Sequence, residues 1–287
     1  MRAPIQPVPV QPPRYGLLVA ATVTPLSTDR WQQGVTWNPE QCGVSGRVSV
    51  GCEGDTDEIV AERNGGIVEA DPFAVWAADE CSPFGFGARD WTGRVLRQLE
   101  ATQSYQIANE LWTGELHIDD SLSGGWLTDH TTLNYSFQAD NVIDALGCLE
   151  QGLAVCGQGR RGMIHVTPQA LVHLSAATAV ETVGSTILTP LGNVVVADAG
   201  YDGSGPGGVP ADSTTQWMYA TSMIDVVLEP NPMLIPGEIE QAQALAQALD
   251  RSDNTITVRA FRMAMYRWDR CCHIAVEVDL PVCVVAS

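Results

Sequence analysis

The 287-residue chain contains no lysine: all 15 of its basic residues are Arg, set against 34 acids. A Walker-type phosphate loop, a Schiff-base nucleophile and a Lys-derived isopeptide bond each need a Lys side chain, so all three are excluded. A formal net charge of -19 also excludes the wrapping of nucleic acid, whose affinity comes from Lys and Arg displacing counterions from phosphates. Long apolar runs are missing too. The uncharged stretches Gly162–Val180 and Thr182–Ala197 are broken by His165, Pro168, His173, Pro190 and Asn193, so neither reads as a membrane span. Leu17–Val23, behind Arg14, has the length of a signal-peptide core, but a Pro-rich run precedes it and the segment is expected to be retained. The eight Cys include no C-x-x-C and no zinc-ribbon spacing. Cys148 and Cys156 fall on one predicted helix, about 12 Å apart along its axis and too far to bridge. Buried free thiols in a reducing cytosol are the expectation.

What the chain does have is 45% hydrophobic and 17% charged residues, enough to bury a sizeable core as one large or two modest domains. Residues 1–13 carry five prolines and read as an extended arm. The arm continues to residue 40, where Trp31 and Trp37 flank Gln32, Gln33 and Gly34 without a periodic segment nearby to pack on. Such aromatics either dock on something else or fold back on their own domain. From Cys42 to Ala70 the alternation of Val44, Val48 and Val50 around polar residues, with an acidic tip near Glu53–Glu58, predicts a hairpin-like excursion.

Asp90 is the predicted cap of a long helix to about Trp112, with Trp91, Val95, Leu99, Ile107 and Leu111 on one face and Gly114 as its stop. A second helix, from about Asp140 to Gly157, places Val142, Leu146, Leu149 and Leu153 together. The strand Met163–Val166 follows. Thr167-Pro168 then opens a third helix through about Val180, with Thr as cap and Pro at the first helical position. Leu188–Ala197 reads as strand, turn and strand, and 198–216 as a Gly/Pro/Ser/Asp surface loop. Trp217–Leu228 is expected extended and Gly237–Asp250 helical. The strands Thr255–Trp268 and His273–Val285 close the chain. Helices and strands mix without regular βαβ alternation, so the fold class is α+β.

Local catalytic signatures are absent. Gly203, Gly205 and Gly208 spell G-x-G-x-x-G, but Pro206 and Pro210 interrupt it and no helix opens behind it to receive a pyrophosphate. Cys272 and His273 are neighbours on a strand and point to opposite faces, so they cannot share a proton. His117, His130, His165 and His173 show no metal-ligand spacing, and Asp119-Asp120 reads as a solvated pair. No catalytic, cofactor-binding or metal residue is therefore assigned.

The order of elements from about residue 40 to 287 resembles the major capsid protein of tailed bacteriophages, a fold also used by bacterial encapsulin shells. Three segments carry the resemblance: Gly162–Leu171, a strand running through a polar-Pro turn into a helix; Thr189–Ala197, a loop, Gly and hydrophobic strand; and Asn254–Arg270, a strand bearing Arg259, Arg262 and Tyr266 that ends in a turn before Ile274–Leu280. The resemblance implies an N-terminal arm (1–40), an extended β-hairpin loop (41–75), a peripheral domain built on the long helix (76–138), an axial domain (139–250) and closing strands of the peripheral domain (251–287). It implies a structural protein, not an enzyme, that assembles with itself as hexamers and pentamers into an icosahedral head around double-stranded DNA it does not bind specifically. Scaffold, expected to be separate or unnecessary, a portal and a cement or decoration protein are the further partners, with no membrane contact and no cofactor. Assembly is expected in the host cytoplasm, and the product is the virion. The expected inter-subunit contacts are Trp31, Trp37, Arg47, Val48, Tyr201 and Asp202. An encapsulin-like compartment and an α+β enzyme of unrecognised type are the alternatives.

Overall fold

In the computed structural model, Asp90 opens the long helix Trp91–Thr113, its carboxylate accepting the Gly93 N–H at 2.9 Å. The model describes residues 11, 13–25, 29–40, 66–81, 90–212, 214–235, 249–250 and 255–281. Most of the expected hairpin, with Arg47, Val48 and its tip at Glu53–Glu58, most of the expected helix from Gly237, and the chain beyond Pro281 lie outside the described residues. Gly114 ends the long helix at φ 63, a left-handed position that glycine takes without strain. The predicted stripe, Trp91, Val95, Leu99, Ile107 and Leu111, is buried.

That stripe packs on a six-stranded sheet organised around the 13-residue strand Thr255–Arg267. Phe73–Cys81 pairs antiparallel along one edge of it. Asp225–Leu228, Met233–Ile235 and Leu249–Asp250 pair in succession along the other, and Thr22–Pro25 adds in parallel outside Asp225–Leu228. With period-two alternation, Ile256, Val258, Ala260, Ala264 and Tyr266 join the core shared with the helix. Met263 and Met265 lie on the opposite face.

A seven-stranded sheet forms the second layer, in the order Tyr135–Ala139, His273–Val278, Gln216–Ser222, Gly162–Val166, Val194–Ala197, Thr186–Leu188 and Glu181–Val183. Every residue of Gly162–Val166 is buried, because both faces of this strand are covered. Ile164 and Val166 lie in one core with the helices Val142–Cys156 and Pro168–Ala176, and Met163 faces the core of the long helix. Thr167 caps Pro168–Ala176 as expected. That helix ends four residues earlier than the expected Val180. Thr178 takes φ 54, its N–H bonds to Ser175 O, and Ala179 N–H bonds to Leu174 O, a left-handed stop made without glycine.

Four expectations are corrected. Residues 198–216 are not a surface loop throughout: Gly200, Tyr201 and Gly203–Gly205 are buried, while Gly207–Pro210 remain exposed. Tyr201 packs on the Trp112 ring at 4.7 Å between centroids, and Ser204 receives the Trp112 Nε1–H at 3.0 Å. Gly200 has no side chain to separate the loop from the helix backbone at Tyr105 and Asn109. The arm, second, does not simply extend. Leu17 begins a helical turn and is fully buried, and Trp31 is 4% exposed in a cluster with Ala70, Val227 and Met265. Third, Leu249–Asp250, the expected end of a helix, is a strand. Fourth, the thiols are not all free. Cys156 and Cys272, 116 residues apart, form a disulfide with Cα atoms 5.4 Å apart, while Cys148 is free and half-buried. Helix packing on the sheet makes that pair, which short-range spacing does not reveal.

Candidate functional site

Three of the five histidines are buried and bonded within the chain. His165 is fully buried: its Nδ1 meets Tyr201 OH at 3.0 Å and its Nε2 meets Thr221 Oγ1 at 3.0 Å. Thr221 donates its own proton to Ser222 O, so Nε2–H donates to Thr221 and Nδ1 accepts from Tyr201. Burial first, and His273 second, lower the His165 pKa to about 3. His273 is held in the same way. Its Nε2 donates to Leu127 O at 3.0 Å, Nδ1 accepts from Thr132 Oγ1 at 2.9 Å, and burial lowers its pKa to about 4. The third buried imidazole, His117, contacts Glu110 at 2.6 Å between Nδ1 and Oε1, and the same carboxylate accepts the N–H groups of Leu116 and His117. Glu110 thereby staples the long helix to the short helix Glu115–Asp119. All three imidazoles are sealed from solvent.

Asp198 does comparable work between segments. Its carboxylate accepts Leu17 N–H at 2.9 Å, Ser104 Oγ–H at 2.8 Å and Gly200 N–H at 3.2 Å, joining arm, long helix and loop. Among the described residues no group of three or more His, Cys, Asp or Glu is arranged to hold a metal ion. No helix among them is long and apolar enough to cross a membrane. A cleft of about 360 Å³ beside Glu115, Asp119 and Asp202 is open and acidic. The Gly203–Gly208 stretch opens no helix beyond the short turn Pro206–Gly208, and Cys272 is engaged in its disulfide instead of meeting His273.

The expected contact residues divide by exposure. Trp31 and Tyr201 are buried in their own chain, so neither presents a free surface. Trp37 is half-buried, with its Nε1–H donated to Asp269 at 3.1 Å, and Asp202 is exposed. Sequence reasoning missed a different surface. Met233 lies opposite Phe261, and Phe261 opposite Trp76, in one row across three paired strands. Met233 is 58% and Trp76 54% exposed, so the row opens outward. No local pattern marks it, because residues 73–78 are apolar at every position and the row exists only through strand register.

No protein-family model matches the chain, and no curated protein matches it in sequence. Solved structures match it in shape. The capsid of Ralstonia phage GP4 superposes with a TM-score of 0.59 at 9% identity, covering 100% of this chain and 97% of that one. The capsid of an empty GTA particle gives 0.57 at 10% identity over 98% and 94%. The holo-SrpI encapsulin complex from Synechococcus elongatus PCC 7942 gives 0.52 at 11% identity over 96% and 93%. The chain therefore has the major capsid fold of tailed bacteriophages, the fold that encapsulin shells share.

Proposed function

We propose that the chain is the major capsid subunit of a tailed-phage head, a structural protein and not an enzyme, and that hexamers and pentamers of it close an icosahedral shell around double-stranded DNA. The observation that carries this reading is the likeness to capsids over nearly the full length of both partners, in a chain whose buried histidines are all consumed by internal bonds. In this reading the six-stranded sheet and long helix are the peripheral domain and the seven-stranded sheet with its two helices the axial domain. The expected bounds shift accordingly, because His273–Val278 pairs into the seven-stranded sheet and not with the peripheral strands, while Asp225–Leu228, Met233–Ile235 and Leu249–Asp250, expected in the axial domain, pair with Thr255–Arg267. Asp202 and the exposed stretch Gly207–Pro210 lie towards the capsomer axis, and Trp37, Arg47 and Val48 meet neighbouring subunits. The outward row of Met233, Phe261 and Trp76 adds apolar area of the kind that subunit interfaces bury.

The charge distribution suits an enclosed, unbound genome. Nine acids and no base lie between Arg97 and Arg160, and again nine and none between Arg161 and Arg251. A lumen carrying part of that charge repels phosphate, so DNA slides instead of sticking. Scaffold, portal and a decoration protein are the remaining proposed partners, and the host cytoplasm the place of assembly. The encapsulin match supports a second reading, a compartment around a protein cargo. Expression in a bacterial host followed by negative-stain microscopy and analysis of the contents tests both. Shells of phage-head size that fill with DNA when portal and packaging proteins are supplied support the first, and shells that retain a protein cargo support the second.

A further inference from the structure

Two buried anchors bring Cys156 and Cys272 together. Cys156 is the last residue of the helix Val142–Cys156, which is held to the sheet by Ala145, Leu149 and Leu153. Cys272 precedes the strand His273–Val278, paired on both sides, and Asn134 bonds His273 at both its N–H and its carbonyl. Both anchors are packed or paired independently of the bond, and the Cα separation is 5.4 Å, within the range of about 4.4–6.8 Å that a disulfide requires. Cys272 is 3% exposed, but Cys156 is only partly buried, so small oxidants and reductants reach the pair from the helix end. Cys148, eight residues back on the same helix, lies about 12 Å from Cys156 along its axis, too far to bridge to it.

We propose that this pair is a redox latch, open as two thiols while the subunit folds in a reducing cytoplasm and closed once the particle meets air. The timing rests on the reading of the chain as a cytoplasmically assembled shell subunit. In closing, the two thiols form one S–S bond and give up two protons and two electrons to dissolved molecular oxygen, which becomes hydrogen peroxide. The closed latch encloses the 115 residues 157–271, including five of the seven strands in the second layer. Closing a loop of that length restricts the unfolded chain far more than the folded one, whose geometry already accommodates the bond.

The test uses the full-length protein expressed in a reducing bacterial cytoplasm and lysed without oxygen into N-ethylmaleimide, with a second portion exposed to air before alkylation. Peptide mass spectrometry that resolves Cys272 from the adjacent Cys271 is expected to find Cys156 and Cys272 alkylated in the first sample and linked in the second. The air-exposed protein should melt about 5–10 °C higher than the same protein treated with a phosphine reductant. Cys156→Ser should hold the lower melting point in air, which separates this bond from any other disulfide. If that variant does not fold, Cys156→Ala, closer in volume to Cys, takes its place. A linked peptide already complete under anaerobic quenching, a pair still alkylated after air, or a link without a rise in melting point overturns the proposal. All of these readouts work on unassembled subunits, so a failure to form shells would count against the capsid reading and leave the latch to be judged separately.

Discussion

The Asp198 carboxylate accepts the Leu17 backbone N–H at 2.9 Å across 181 positions of sequence. With Ser104 as its second partner, it ties the arm to the long helix, in the interior. Asp198→Ala leaves a buried hydroxyl and two N–H groups without their acceptor, and is expected to cost about 2–3 kcal/mol in denaturant unfolding. Asp198→Asn, which keeps one acceptor oxygen, should cost less. Amide exchange at Leu17 should rise in the Ala variant; unchanged protection there would show that the arm is held by other means.

Trp31 is expected to behave as a core residue. Trp31→Ala should lower the stability of the isolated subunit by about 3–5 kcal/mol, the range for a buried large aromatic. Trp37→Ala removes one bond to Asp269 and should cost about 1 kcal/mol. A larger loss of assembly than of subunit stability is expected only for Trp37, whose ring is half open. The same pattern in Trp31→Ala would mean that Trp31 leaves its own core in the shell.

Acid should destabilise the fold through His165 and His273. Their pKa values are depressed to about 3 and about 4, while the unfolded chain binds a proton at each near pH 6.5. The stability held by the neutral rings is therefore complete above about pH 6.5 and is lost as pH falls toward 4 for His273 and 3 for His165, at up to about 1.4 kcal/mol per pH unit for each. Tyr201, Tyr219 and Tyr266 act on the other side: burial raises their pKa values, so stability falls above about pH 10, where the unfolded phenols ionise first. Melting points between pH 7 and 4.5 check the acid limb, and His165→Gln should flatten it. A flat wild-type profile would contradict these assignments.

Without lysine, no side-chain amine can cross-link neighbouring subunits. Particles boiled in detergent with reductant should run as a single band near the monomer mass, held until then by burial and interlaced contacts. A covalent ladder would refute this.

Much of the fold was legible where local chemistry determines it. The Asp90 cap and Gly114 stop set the long helix, and Thr167-Pro168 set the start of the third, because caps are short-range events. Phe73–Cys81 escaped because its apolar residues occupy both faces and give no polar alternation to read. Thr178 ended a helix with no glycine to announce it. Tyr201 looked like surface because its neighbours are Gly, Ser and Asp; it is buried because that loop lies against Trp112, more than 80 residues upstream. The Cys156–Cys272 bond and the Met233–Phe261–Trp76 row depend on long-range packing and strand register, which no local pattern encodes.

Electron microscopy of the purified, concentrated protein tests the central claim most directly. Closed icosahedral shells built of hexameric and pentameric capsomers are the predicted result. A protein that stays monomeric at high concentration, both alone and when co-expressed with phage structural proteins, would contradict it.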